Sequence, residues 1–496
     1  MSAIITSKFR LDTTDKFVSS LADNQFYMAI GRPNAWADDT TPTTPYENDY
    51  TSNTLWENMF AMKSIDATDI VHSSTRSLWV SGTTYSEYDD RDTNIESKVY
   101  FVVSTNNNVY LCLKAGTGPS SVNPDVIGVQ TSGVHVTGAD GYVWKYMYTV
   151  PTGDVTKFLT SSFIPVRHLK AAPLAGADTA LVNQWSVQTN AVDGAIYNMK
   201  ITTGGTGYTS IPTLTIVGNG TGATADATLT GGVITGITMT AVGSGYTHAT
   251  VTVSTAGGTG GTVRPVIGPV GGYGANPTND LRSHYVTINK AFTGDESGTI
   301  PDSNDFRQLA VIKNPIANIS AITVSGAAAF TVDRFYKILS LGTSSAANWL
   351  TAGGADPTVG AVFKATAVTT TGTGTVASVA STSAYNTCKK LVVATGNTFP
   401  VDQLIEGTIS GAKAYVVEYD TAGIIWYIQN ETSGFGTFTE SDFIRESGTA
   451  IAGQDVTAVT APLINHHTGD VMFLENKTAT TRSAGQVETV RLVIAF

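Results

Sequence analysis

Gly205-Thr206-Gly207-Tyr208-Thr209 returns 38 residues later as Gly243-Ser244-Gly245-Tyr246-Thr247. Gly220-Thr221-Gly222 returns at the same spacing as Gly258-Thr259-Gly260, and the apolar positions Ile196, Met199 and Ile201 return as Ile234, Ile237 and Met239. Self-similarity at a fixed period marks a repeated supersecondary unit. The glycines stand where tight turns need φ > 0, β-branched residues fill the segments between them, and one tyrosine per copy is placed to pack across a sheet. Two copies are too few for a long solenoid, so the expectation is a compact β domain.

The composition extends this reading to the whole chain. Of 496 residues, 42% are hydrophobic and only 14% charged, with 49 glycines. Soluble domains usually carry roughly a quarter charged residues. Thr, Val, Ala, Ser and Gly fill the difference, a mixture that favours strands and turns over helical bundles. The length suggests about three folding units. With a net charge of −11 and no Lys/Arg run longer than Lys389-Lys390, nucleic acid is not an expected partner. Cys112 and Cys388 lie among apolar neighbours; two buried thiols are the expected state, with a disulfide between them as the alternative. The start, Met1 to Lys8, lacks the charged and apolar regions of a signal peptide, and no apolar run reaches the length of a membrane span. The expectation is a soluble protein made in a cytoplasm, with no membrane partner.

Segment by segment, the expected fold class is mainly β: a discontinuous β-sandwich core with two helices near the N-terminus and two inserted small β domains. Residues 1–171 would form the first part of the core and 172–270 an inserted domain carrying the repeat. Residues 271–324 would return to the core, 325–461 would form a second inserted β region, and 462–496 the C-terminal core strands. One helix is expected over Thr14 to Asp23, with Phe17 and Leu21 on one face. A second is expected to start at a capping box, Thr54-Leu55-Trp56-Glu57, and to carry a stripe of Leu55, Met59 and Met62 beside Trp56 and Phe60. Strands are expected at Lys98 to Ser104, Val109 to Lys114, Tyr142 to Val150, Leu309 to Ile312, Phe335 to Ser340, Ala414 to Glu418 and Ile424 to Gln429.

Residues that could carry chemistry do not converge. Asp90, Asp92 and Asn94 match the first alternating ligands of a calcium loop, but Ile95 occupies the glycine position and Phe101 the closing glutamate position, so a solvated turn is preferred over a metal site. His466-His467, read as neighbours on a strand, would point to opposite faces and could not readily share an ion. Gly407-Thr408-Ile409-Ser410-Gly411-Ala412-Lys413-Ala414 misses the phosphate-loop spacing and reads as a hairpin turn. Gly271-Gly272-Tyr273-Gly274 lacks the strand–turn–helix setting of a dinucleotide site. Neither G-x-S-x-G nor H-E-x-x-H occurs, and Glu406, Glu418 and Glu440 read as scattered surface acids rather than a glycosidase pair. No catalytic residue, metal or cofactor is expected.

Six segments, in order, carry a resemblance: Ile5-Thr6-Ser7-Lys8-Phe9-Arg10; Tyr27-Met28-Ala29-Ile30-Gly31-Arg32 leading to Trp36; Tyr85-Ser86-Glu87-Tyr88-Asp89-Asp90; Asp140-Gly141-Tyr142-Val143-Trp144-Lys145-Tyr146; Asn304-Asp305-Phe306-Arg307-Gln308 with Asn314-Pro315; and Thr468-Gly469-Asp470-Val471-Met472 followed by Glu475-Asn476. Together they resemble the dimeric β-sandwich baseplate wedge subunit of T-even-type contractile-tailed phages. The two Thr/Gly-rich stretches depart from that pattern. Their Gly-Ser/Thr-Gly-Tyr repeat and Ser410-Gly411-Ala412 turn resemble modules of virion proteins from phages of cyanobacteria and other aquatic hosts. The resemblance implies a non-catalytic, cofactor-free virion protein of the tail baseplate, a homodimer that joins neighbouring wedge proteins during assembly and rearrangement. Interfaces of that kind need aromatic anchors, for which Trp36, Trp56, Trp79 and Trp144 are candidates, a place in the core being the preferred reading of each. The alternative function is a receptor-binding adhesin whose insertions grip host glycan; a tail-associated depolymerase is a third reading.

Overall fold

The computed structural model describes residues 4–132, 135–394, 396–450 and 453–496. The chain is mainly β, 38% strand against 13% helical. It divides into two compact units that alternate along the sequence: the first takes the chain up to Lys16, Val71–Thr287 and Val493–Phe496, and the second takes Phe17–Ile70 and Ile288–Leu492.

In the first unit an antiparallel sheet runs in the order Phe101–Val103, Asn108–Lys114, Val143–Thr149, Val136–Thr137. The three-residue strand Phe101–Val103 is shorter than the sequence suggests, because residues 95–97 before it form a 3-10 turn. Both faces of this sheet are covered. Tyr100, Val103, Leu111 and Met147 lie in one buried cluster, and Tyr85, Tyr110, Trp144 and Tyr146 in another. Strands buried on both faces lose the polar/apolar alternation that betrays a half-exposed sheet. Tyr142 stacks on Trp144 at 5.7 Å, and Tyr85 meets Trp144 edge-on at 5.7 Å.

The repeat folds as a pseudo-twofold domain. The first strand of each copy pairs with the last strand of the other: Thr221–Thr230 with Val233–Ser244, and Thr259–Val266 with Asn198–Thr206. All seven pairs of the Thr259–Val266 ladder have counterparts 38 residues away in the other, with matching register shifts at Thr224/Ala225 and Thr262/Val263; the longer ladder adds two pairs beyond a second shift at Thr228/Leu229. The middle strands, Leu214–Gly218 and Ala249–Val253, pair with each other. Gly205 and Gly243 have φ of 66° and 63°, and a Cβ on either would fall 2.5 Å from a backbone nitrogen of the facing strand. Both strain and close approach therefore require glycine at these two positions. Tyr208 and Tyr246 lie in the domain's core, and their hydroxyls accept from Gly261 N at 3.1 Å and Ala223 N at 3.4 Å.

An 11-residue helix, Thr179–Thr189, lies within the stretch that sequence assigns to the inserted β domain. Asp178 caps it by accepting from Ala180 N, and Ala180, Gln184 and Val187 form its buried face.

In the second unit a five-stranded antiparallel sheet runs Ala384–Asn386, Met59–Ile65, Phe26–Gly31, Asp305–Lys313, Asp470–Thr481. Its strands come from five distant stretches of sequence, so this sheet is discontinuous. The helix before Met59 spans Asp49–Asn58, with Asn48 as its cap accepting from Thr51 N at 2.7 Å. The expected capping box at Thr54 is therefore corrected: Thr54 is inside the helix and donates to Thr51 O. The helix ends where Leu55-Trp56 gives way to Met59, so Met59 and Met62 bury themselves from a strand rather than a helix. The first helix, expected from Thr14, instead spans Ser7–Ser19, with Thr6 accepting from Phe9 N at 3.2 Å.

The stretch expected as a second inserted region contains two bodies. One is a four-stranded sheet, Ile322–Thr323, Thr375–Ser378, Phe335–Ser340, Val362–Lys364, packed with the helix Ala346–Ala352 around Trp349. The other is a closed six-stranded barrel in the order Lys389–Val393, Ile424–Ile428, Lys413–Tyr419, Leu404–Gly407, Phe443–Glu446, Gln454–Thr460. Closure leaves no free edge, and Leu391, Ile405, Ala414, Ile425 and Ile444 fill the interior. Among the described residues, no helix is long and apolar enough to cross a membrane.

Candidate functional site

In the acidic loop Asp90 and Asn94 are exposed in a turn, as expected, while Asp89 is buried in a charged seam within the first unit. Asp89 accepts from Arg264 Nη2 at 2.6 Å and lies 2.9 Å from Lys200 Nζ, while Glu87 lies 3.0 Å from Lys200 Nζ. Lys200 and Arg264 are direct cross-strand neighbours in the repeat domain, so both of its terminal strands are tied to this loop. Burial pushes the Asp89 carboxyl up, but the bonds from Arg264 and Lys200 outweigh it and hold Asp89 well below the usual carboxylate range. Asp90 moves the other way, raised by burial and by the Asp89 charge. Asp92 takes Lys98 and the Asn94 backbone N–H. Of the three candidate calcium ligands, Asp92 pairs with Lys98 and Asp90 lies 3.6 Å from Arg264 Nη1. Among the described residues, no group of three or more His, Cys, Asp or Glu is arranged to hold a metal.

His466 and His467 are in a turn rather than on a strand, which corrects their expected setting; His467 has φ of 60°. The His466 Nε2 is 2.7 Å from Thr387 O, its ring is packed 6.0 Å from that of Trp56, and burial lowers its pKa. Gly407 to Ala414 closes the hairpin between two barrel strands, with Asp442 accepting from Ile409 N and Ser410 N. Gly271 to Gly274 is flanked by the strand Thr259–Val266 and the one-turn helix Pro277–Asp280, a strand–turn–helix order that sequence did not suggest. That strand is paired antiparallel, however, so no βαβ unit is formed. Glu406 is held by Arg445, Ser447 and Lys413, whereas Glu418 accepts from Asp302 N and Glu440 is exposed. Cys112 and Cys388 are both buried free thiols.

The four tryptophans separate into two kinds. Trp56 and Trp144 are core residues. Trp36 and Trp79 are half-buried: Trp36 donates from Nε1 to Lys477 O at 3.1 Å with the Arg32 guanidinium 3.8 Å over its ring, and Trp79 donates to Ser120 Oγ at 3.1 Å.

An exposed apolar surface of the first unit lies elsewhere. Ile4, Ile5 and Phe9 are 85%, 67% and 62% exposed. Ile5 and Phe9, with Thr13, Arg10 and Phe496, line a hollow of about 520 Å³. The helix Ser7–Ser19 buries only Leu11 and Thr14, so its Phe9 face is left to solvent. A rim of charge adjoins it. Arg10 and Arg282 both meet Glu96, at 2.5 Å and 3.3 Å, and His284 lies between Ser7 Oγ at 3.1 Å and Glu96 at 3.4 Å. Burial raises Glu96, but Arg10 and its cationic neighbours bring it below its ordinary value. Exposed apolar patches rimmed by polar residues mark sites of contact with protein, membrane or ligand. The tryptophans are not part of this surface; apolar Ile4, Ile5 and Phe9 flanking the helix-capping Thr6 are the sequence signal for it.

A scan against protein-family models gives no match, and no curated protein matches the sequence.

Proposed function

We propose that this chain is a structural subunit of a contractile phage tail baseplate, a wedge protein that joins its neighbours during assembly and during rearrangement on infection. One observation carries the reading furthest: the apolar surface of Ile4, Ile5 and Phe9 beside Phe496. Burying apolar surface stabilises association by about 25 cal/mol per Å², so a partner that covers these side chains gains from each of them. The rest of the chain suits such a part. Its charged loops tie strands together, and its closed barrel offers no edge for stray pairing. The expected occupant of the surface is a second copy of the chain, as the resemblance to the dimeric wedge family implies.

Sedimentation velocity on the purified chain tests this. The parent should sediment as a dimer at micromolar concentration, and a variant carrying Ile5→Asp and Phe9→Asp as a monomer that keeps the parent's far-ultraviolet circular dichroism while melting at a lower temperature. A parent that stays monomeric at every concentration, or a variant that remains dimeric, contradicts it.

A further inference from the structure

The second unit contains a polar cleft of about 310 Å³ with two exposed tyrosines on its wall. It is founded on a backbone irregularity. Between Ile30 and Gly31 the pairing with Met59–Ile65 shifts register, and a Cβ on Gly31 would lie 2.9 Å from Asn58 O. Arg32 follows with φ of 57°, its N–H donating to Asn58 O at 2.7 Å. Bulges and left-handed non-glycine residues concentrate beside binding sites because they re-aim the chain. Here they carry the strand out towards Trp36.

The far wall is made by Tyr46 and Tyr50, 79% and 59% exposed, with the Tyr50 hydroxyl donating to Glu431 Oε2 at 2.7 Å. Deep in the cleft, Gln308 is only 6% exposed. A chain of amides fixes which way it faces. Thr43 O can only accept, so Asn476 Nδ2 donates to it at 2.8 Å; Asn476 Oδ1 then accepts from Gln308 Nε2 at 2.9 Å. This leaves the Gln308 Oε1 buried without a partner among the described residues, in a side chain that lines the cleft. Glu57, on the same wall, is raised by burial and by the nearby Glu431 charge.

We infer that this cleft binds a neutral saccharide, stacking the C–H face of a sugar ring on Tyr46 and Tyr50 and taking its hydroxyl protons on Gln308 Oε1 and the carboxylates of Glu57 and Glu431. The cleft presents acceptors beside flat apolar rings. A sugar ring supplies several O–H donors around a C–H face, so one compact ligand meets both demands. Arg32 also lines the cleft, but Glu57 and Glu431 outnumber it, which disfavours a phosphorylated or acidic ligand. The volume is at the lower end of ligand sites, roughly 300–1,000 Å³, which suits one or two sugar rings. This inference is independent of the assembly reading, because Tyr46 and Tyr50 lie outside the Ile5–Phe9 surface and are read out by sugar binding rather than by sedimentation.

The test is calorimetric titration of the full chain with glucose, galactose, mannose, N-acetylglucosamine and their neutral disaccharides. At least one should bind with a Kd of about 1 mM or tighter. Tyr46→Ala and Tyr50→Ala should each weaken it about tenfold while leaving the melting temperature unchanged, since both rings are exposed. Failure of every sugar to bind at about ten times that concentration overturns the inference. So does a Tyr46→Ala/Tyr50→Ala double variant with parental affinity, or a cleft that selects only peptides from a displayed library.

Discussion

The repeat domain, residues 196–267, and the aromatic sheet around Trp144 belong to the same unit but specify themselves in opposite ways. In the repeat, each requirement is local: a glycine where φ is positive, an alternation of inward Ala225 and Ala227 with outward Thr224, Asp226 and Thr228, and a tyrosine at a fixed offset. In the aromatic sheet the requirements are long-range and polar. The Tyr100 hydroxyl donates to Asp280 O at 3.0 Å, and Ser74 donates to Leu281 O at 2.9 Å. Lys145 is buried close to Asp280: its Cε lies 3.4 Å from where a Cβ on Gly274 would stand, and Gly274 N donates to Asp280 Oδ2 at 2.6 Å. One region depends on backbone shape repeated in sequence, the other on partners that meet only after folding.

The most severe way to break this contrast is at the twofold. Gly205→Ala and Gly243→Ala each add strain at positive φ and a Cβ 2.5 Å from backbone. Each should cost about 3 kcal/mol or more in denaturant unfolding. Because the two sites are counterparts, the two losses should be nearly equal. Gly231→Ala, with positive φ but open space, should cost far less. A large difference between Gly205→Ala and Gly243→Ala would dissolve the symmetry argument.

The aromatic sheet should respond to charge instead. Burial pushes Asp280 up to about 7 and Lys145 down to about 8. A carboxyl raised on folding adds no cost below its unfolded pKa, and an increasing cost as pH rises towards 7. An amine lowered on folding costs increasingly as pH falls from its unfolded value through about 8. Both costs are present near neutrality. Replacing Lys145 by Met together with Asp280 by Asn should therefore stabilise the chain by about 1–4 kcal/mol at pH 7.5, with a smaller gain at pH 4.5. Either substitution alone removes only one of the two costs and should stabilise less than the double substitution. Thermal unfolding at the two pH values reads the difference, and a double variant less stable than its parent would refute the cost assigned to these charges.

The smallest expected effect returns to the repeat. Tyr208→Phe removes an acceptor for Gly261 N at 3.1 Å and should cost about 1 kcal/mol; Tyr246→Phe removes a 3.4 Å contact with Ala223 N and should cost less. Equal losses would mean that the rings, not their hydroxyls, carry these sites.

The same contrast explains what could be read from the sequence. The spacing of Gly205 and Gly243 revealed a repeated β unit, and the strands Phe335–Ser340 and Asn108–Lys114 were visible from apolar and β-branched runs. The helix Thr179–Thr189 was missed even though Asp178 and the spacing of Ala180, Gln184 and Val187 announced it, because Thr/Gly/Ala-rich neighbours masked the change of period. Leu55 to Met62 looked helical throughout, since nothing local shows that Met59 leaves the helix to pair with Gly31. Barrel closure between Lys389–Val393 and Gln454–Thr460 depends on pairing as distant as Lys390 with Thr460, which no local pattern encodes. The charged seam was half legible: Asp89 and Asp90 stood out, but Lys200 and Arg264, which reach them, could be recognised only once the two repeat copies were folded together.

The central claim, that this chain is a tail-baseplate component, is tested most directly by locating it in a density map of the intact virion that encodes it. A baseplate role predicts copies of the chain around the tail hub within the wedges, with the Ile5–Phe9 surface covered by a second copy. Density for the chain in the capsid or at a fibre tip would contradict it.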